Sequence, residues 1–137
     1  MKYKEASALV AKGEINITSL NWKLANKDGW TLAHVAAATG HLPADFKDWT
    51  LSDNGGWSVA HAAAYTGHLP EGFLHWEIKD YEGWSVAHAA AKTGHLPEDF
   101  NGWRLENNVG WSVAHTAAEN GHLPKEFKNW EIGRAHV

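Results

Sequence analysis

The fold of this chain can be read from Trp57-Ser58-Val59-Ala60-His61-Ala62-Ala63-Ala64-Tyr65-Thr66-Gly67-His68-Leu69-Pro70-Glu71-Gly72-Phe73. Alanine is the strongest helix former and Ser58 is a good N-cap, so residues 58–65 predict a short helix. Thr66-Gly67 ends it, with glycine where a positive φ is favoured. Pro70 then predicts a second, shorter helical turn through Phe73, because proline is tolerated in a first helical turn. Beyond it, Trp76-Glu77-Ile78 has extended, alternating character and leads into the polar loop Lys79-Asp80-Tyr81-Glu82-Gly83. A unit this small cannot bury its own apolar face.

The unit recurs along the chain at one fixed spacing, that from Trp30 to Trp57. Trp30, Trp57, Trp84 and Trp111 form one series, and Trp22, Trp49, Trp76, Trp103 and Trp130 a second. Pro43, Pro70, Pro97 and Pro124 keep the same spacing, as do two histidine series, His34-His61-His88-His115 and His41-His68-His95-His122. Such a period marks stacked units that supply one another's core. The expected architecture is all-α, one domain over 1–137. It is a right-handed solenoid of four helix-turn-short-helix repeats (23–49, 50–76, 77–103 and 104–130) behind a degenerate N-terminal capping unit (1–22) and before a tail (131–137). In the capping unit Ala6, Gly13, Ile15 and Trp22 keep register, but Ser7 and Glu14 stand where later units have His. Its Lys and Glu residues suit a water-facing end. No helical cap follows the last repeat, so the chain is expected to be a monomer, a fragment, or a dimer through that exposed unit.

The 137 residues include nine Trp, ten His and no Cys, with 44% hydrophobic and 20% charged residues. That composition belongs to globular chains. Without Cys there are no disulfides, thiolate metal sites or thiol nucleophiles. No apolar run approaches the ~20 residues that cross a bilayer, so no membrane partner is expected. Met1-Lys2-Tyr3-Lys4-Glu5 lacks the apolar core of a signal peptide. The expected compartment is cytoplasmic, with a secreted effector as the alternative. Charge is uneven: residues 1–27 carry five Lys and two Glu, whereas 44–106 carry ten acidic and four basic residues. An acidic body repels phosphate backbones, which argues against nucleic acid and for a partner with a basic patch.

The segment Asp80-Tyr81-Glu82-Gly83-Trp84-Ser85-Val86-Ala87-His88-Ala89-Ala90-Ala91-Lys92-Thr93-Gly94-His95-Leu96 resembles the first half of an ankyrin repeat, D-x-x-G-x-T-P-L-H-x-A-A-x-x-G-H, at the same spacings. The likeness covers the larger part of each unit and recurs four times. There are departures. Ankyrin units usually run to about 33 residues, longer than these. Val86 replaces the Pro of T-P-L-H, and Pro97 sits where a second helix would begin. Leu96-Pro97-Glu98-Asp99-Phe100 is also similar to the L-P-x-x-L turn of leucine-rich-variant repeats, which pair an α-helix with a 3₁₀ helix. The second element is thus α or 3₁₀. The resemblance implies a shortened ankyrin-like solenoid that grips partners with its loop tips and first-helix strip. It also implies that each repeat His hydrogen-bonds backbone groups of its own or the next unit.

Ten histidines raise the question of a metal. Gly67 ends the helix between His61 and His68, and neither H-x-x-x-H nor H-E-x-x-H occurs. Stacked His residues would stand roughly 10 Å apart at the usual helix spacing, too far to share one zinc ion. No metal or cofactor is expected, and His34, His61, His88 and His115 read as structural. Trp30, Trp57, Trp84 and Trp111 likewise read as packing between units, with one Trp series flanking a groove as the alternative. No carboxylate pair, Ser/His/Asp set or phosphate loop stands outside the repeat, so the chain is not expected to be an enzyme. His75 falls outside the period and reads as solvated.

Positions that vary between units are free to contact a partner. On the first helix these are Val35 and Ala38, Ala62 and Tyr65, Ala89 and Lys92, Thr116 and Glu119, each pair on one helix face. In the loops they include Asn54, Lys79, Tyr81, Glu82 and Asn108. Tyr65 and Tyr81 are the expected hot spots, because Tyr is enriched there. The function expected is a non-catalytic protein-protein interaction module that binds a protein or peptide through these positions. The alternatives are an engineered or recently duplicated scaffold without a natural ligand, and a His-rich protein responsive to metal or pH.

Overall fold

The computed structural model describes residues 2–124. The end of the fourth repeat with Trp130, the tail 131–137 and the expected uncapped end lie outside the described residues. Five α-helices follow one another: α1 (Tyr3–Ala11), α2 (Leu32–Thr39), α3 (Val59–Thr66), α4 (Val86–Thr93) and α5 (Val113–Glu119). From α2 on, each begins one repeat period after the last, and every substantial helix–helix contact joins neighbours. Among the described residues there is no strand. Isolated antiparallel bridges, such as Ser52–Ser58 and Lys79–Ser85, close the loops.

Helices of seven to nine residues are too short to persist alone. Their ends are secured by local chemistry. At α3 the Val59 N–H donates to the Leu51 carbonyl (2.9 Å) and the Ala60 N–H to the Trp49 carbonyl (3.2 Å). The His61 N–H donates to Ser58 Oγ, and the Ser58 N–H to His61 Nδ1, both at 3.1 Å. All four N–H groups that a helix start leaves orphaned therefore have acceptors. Gly67, at φ 80°, closes the other end.

The predicted second helix does not form in the three repeats whose second element is described. Pro70 to Phe73 makes a single turn, the Phe73 N–H donating to the Pro70 carbonyl at 3.2 Å. Pro43–Phe46 and Pro97–Phe100 do the same at 3.1 Å. Proline lacks an N–H and pushes the preceding Leu69 out of helical backbone, and Gly72 at φ 82° ends the turn at once. Among the described residues only the first unit has a 3₁₀ helix here, Ile17–Ser19, capped by the Asn16 side chain. Nor is Trp76-Glu77-Ile78 extended: the Ile78 N–H turns back to the His75 carbonyl at 3.4 Å.

Between the helices lies a seam of alanine, with Ala36, Ala37, Ala63, Ala64, Ala90 and Ala91 all buried. These small side chains let neighbouring helices approach closely. Beside the seam runs an aromatic zipper. Trp22, Phe46, Trp49, Phe73, Trp76, Phe100 and Trp103 meet edge to face in sequence, with ring centroids 5.2 to 6.4 Å apart. Each such pair contributes about 0.5–1.5 kcal/mol beyond its burial.

Candidate functional site

The first histidine series links the units. Nε2 of His34, His61 and His88 lies 2.8 Å from the carbonyl oxygen of Trp57, Trp84 and Trp111 respectively, each in the unit that follows. Nδ1 accepts from the backbone N–H of the residue capping the same helix, Thr31 (3.2 Å), Ser58 (3.1 Å) and Ser85 (3.1 Å). A ring nitrogen that accepts from an amide carries no proton, so these rings are neutral and donate through Nε2. Burial holds all three below the ordinary histidine pKa, although the hydrogen bond to the Trp carbonyl opposes it. With both nitrogens engaged, none of the three has a lone pair open to a metal. Among the described residues no group of three His, Asp or Glu side chains is placed to hold one.

Ser58 and His61 also form a capping box, with His where Glu or Gln is usual. The same box opens α2, α4 and α5. The spacing [ST]-x-x-H carries that signal in the sequence.

The second histidine series is exposed and packs on backbone. Gly67 takes φ +80°, and a Cβ there would come within 2.9 Å of the His95 ring. That glycine serves both the helix end and the seat of the next unit's imidazole. Off the period, His75 stands exposed beside Glu77, with Nδ1 3.9 Å from Oε1.

A groove of about 310 Å³ crosses the exposed faces of α3, α4 and α5. Trp57, Trp84 and Trp111 border it at the helix N-termini, and Tyr65, Lys92 and Glu119 in the last turns. Ala89 and Thr116, nearly buried, line it from beneath. Trp84 breaks the pattern of its series. Trp30, Trp57 and Trp111 lie over their histidines at 4.6 Å, tilted by 32 to 35°. Trp84 stands perpendicular to His88, at 5.2 Å and 89°, and the His88 ring borders the groove. Among the described residues the indole N–H groups of Trp57 and Trp84 meet no acceptor, and neither is sealed from solvent. Two other clefts, beside Trp22 and Phe46 and beside Pro97 and Trp103, follow the aromatic zipper and hold none of the variable helix positions.

Of the variable positions singled out in the sequence, the groove gathers Tyr65, Ala89, Lys92, Thr116 and Glu119. Ala62 is a correction: at 3% exposure it belongs to the core with Val59 and Ala63 and offers no contact surface. Ala89, 5% exposed, contributes only floor. Lys79, Tyr81 and Glu82 sit on a loop outside the groove, Tyr81 being 72% exposed. Asn54 and Asn108 clasp the preceding loop. Their Nδ2 groups donate to the Lys27 and Tyr81 carbonyls (3.0 and 3.1 Å), and their backbone N–H groups to the Asp28 and Glu82 carbonyls (both 3.0 Å). Those amides are thus structural. The indole wall and Asn120 line the groove without belonging to the variable positions expected to make contact.

No helix among the described residues is long and apolar enough to cross a membrane. Compared with known proteins, the chain matches no protein-family model and no curated protein.

Proposed function

We propose that this chain is a non-catalytic interaction module, a shortened ankyrin-like solenoid that binds a protein or peptide in the groove across α3–α5. The observation that carries this reading is the grouping of three tryptophans with Tyr65, Lys92 and Glu119 on one exposed face. Tyr and Trp are the side chains that most often anchor binding energy, and here they border a concavity. The scaffold residues repeat, whereas Tyr65, Lys92 and Glu119 occupy equivalent positions with three different chemistries. Selection of a random displayed-peptide library against the full chain tests the reading. Enriched peptides should lose binding to Lys92→Glu or Glu119→Lys protein that still melts normally. No enrichment, or binders indifferent to both changes, would overturn it.

A further inference from the structure

We propose that the occupant of the groove is a proline-rich peptide in polyproline II conformation, carrying an acidic residue for Lys92 and a basic residue three positions away for Glu119. This rests on the interaction reading above and specifies its ligand.

The spacing carries the first argument. Stacked helices repeat at about 8–10 Å, so Trp57, Trp84 and Trp111 present one indole per such step. Polyproline II has three residues per turn and ~3.1 Å per residue, a repeat of roughly 9 Å. A strand repeats its side chains at roughly 6.6–6.8 Å and an α-helix turns every ~5.4 Å, and neither keeps step with the indoles. Of these three periods only that of the polyproline helix matches the step between successive tryptophans.

The hydrogen-bond chemistry agrees. Trp57, Trp84, Tyr65 and Lys92, all of which line the groove, carry donor groups, and the two indole N–H groups meet no acceptor among the described residues. A proline-rich segment has the reverse imbalance, with every carbonyl available and few N–H groups. Its backbone is already ordered, so little conformational entropy is lost on docking.

Charge fixes the register. Lys92 and Glu119 occupy equivalent positions in successive helices, one repeat step along the groove. Among the described residues neither makes an ion pair. One repeat step equals one polyproline turn, so complementary side chains belong at i and i+3 of the ligand.

The test is fluorescence anisotropy of a labelled peptide, Pro-Pro-Glu-Pro-Pro-Arg-Pro-Pro, with the full chain. Saturable binding is expected, and replacing every proline with glycine should weaken it at least tenfold. Glu119→Lys should weaken it several-fold, and a peptide with Glu in place of Arg should recover most of that loss. Equal affinity for the glycine peptide, no saturable binding, or indifference to the charge reversal would each overturn the proposal. Library peptides that bind the groove but contain no proline would remove the polyproline ligand while leaving the interaction reading intact. A library with no binders would remove both.

Discussion

His61 donates from Nε2 to the carbonyl oxygen of Trp84 across 2.8 Å, while its Nδ1 accepts from Ser58 at the head of its own helix. One neutral ring thus caps α3 and ties it to the unit that follows. His34 and His88 repeat the arrangement, so the ladder sets both the helix start and the spacing to the next unit.

Removing one rung should therefore cost more than a surface mutation. His61→Ala leaves the Trp84 carbonyl without this donor, opens a cavity and breaks the capping box, for an expected loss of about 2–4 kcal/mol. His61→Gln can still reach back to the Ser58 N–H, as Gln does in ordinary capping boxes, and should lose less. Denaturant melts of the two variants check the order.

Stability should fall in acid. Burial lowers the folded pKa of His34, His61 and His88 below their unfolded value of about 6.5. Between the two values the unfolded chain takes up protons that the native rings refuse. The contribution is complete above about pH 6.5 and is lost as pH drops through that value toward the folded pKa values, by at most about 1.4 kcal/mol per pH unit for each ring. A lower Tm at pH 5.5 than at pH 7.5, with a smaller difference in His61→Gln, is the expected result. Equal Tm values would contradict burial of the ladder.

Two glycines with nearly the same backbone separate strain from packing. Gly67 (φ +80°) faces the His95 ring, whereas Gly72 (φ +82°) faces open space. Gly72→Ala should cost only the left-handed backbone penalty, about 1–2 kcal/mol. Gly67→Ala should cost measurably more, because the imidazole must also move. Equal losses in urea would show that His95 yields freely.

Tyr81 stands where Asn54 and Asn108 clasp the preceding loop, and it keeps only a longer backbone bond, 3.4 Å from its N–H to the Gly55 carbonyl. Tyr81→Asn should restore a side-chain clasp and stabilise the fold by about 0.5–1 kcal/mol. A lowered Tm would mean that the Tyr81 ring, packed over Gly56, contributes more than the missing hydrogen bond.

The zipper predicts a loss that depends on aromatic character. Phe73 lies 5.4 Å from Trp49 and 5.5 Å from Trp76, ring centre to ring centre. Phe73→Leu keeps most of the apolar bulk but gives up both edge-to-face contacts with tryptophan, for about 1–3 kcal/mol. Near-ultraviolet circular dichroism should weaken in step with the melt.

Most of the helix grammar is legible in the sequence because it is local. Ser58 and Gly67 bracket α3 as expected, since caps depend on residues within a turn of the helix end. The second element misleads at the same local level. Pro70 permits a helical first turn, but the zipper also sets Phe73 edge to face with Trp49 of the preceding unit, a contact that no local signal carries. Ala62 misleads for a related reason: variation among valine, alanine and threonine at that position reflects room in a helix interface as well as exposure to a partner.

The repeat period, the helix starts and stops, and the positions that recur all follow from the order of residues along the chain. They are short-range preferences, copied from unit to unit. Contact between units is what brings the His61 ring to the Trp84 carbonyl. The same packing gathers Tyr65, Lys92 and Glu119 into one groove with the indoles and leaves Tyr81 outside it. These relations join residues a full repeat or nearly so apart, and their distances are set by how closely alanine lets one helix lie on the next.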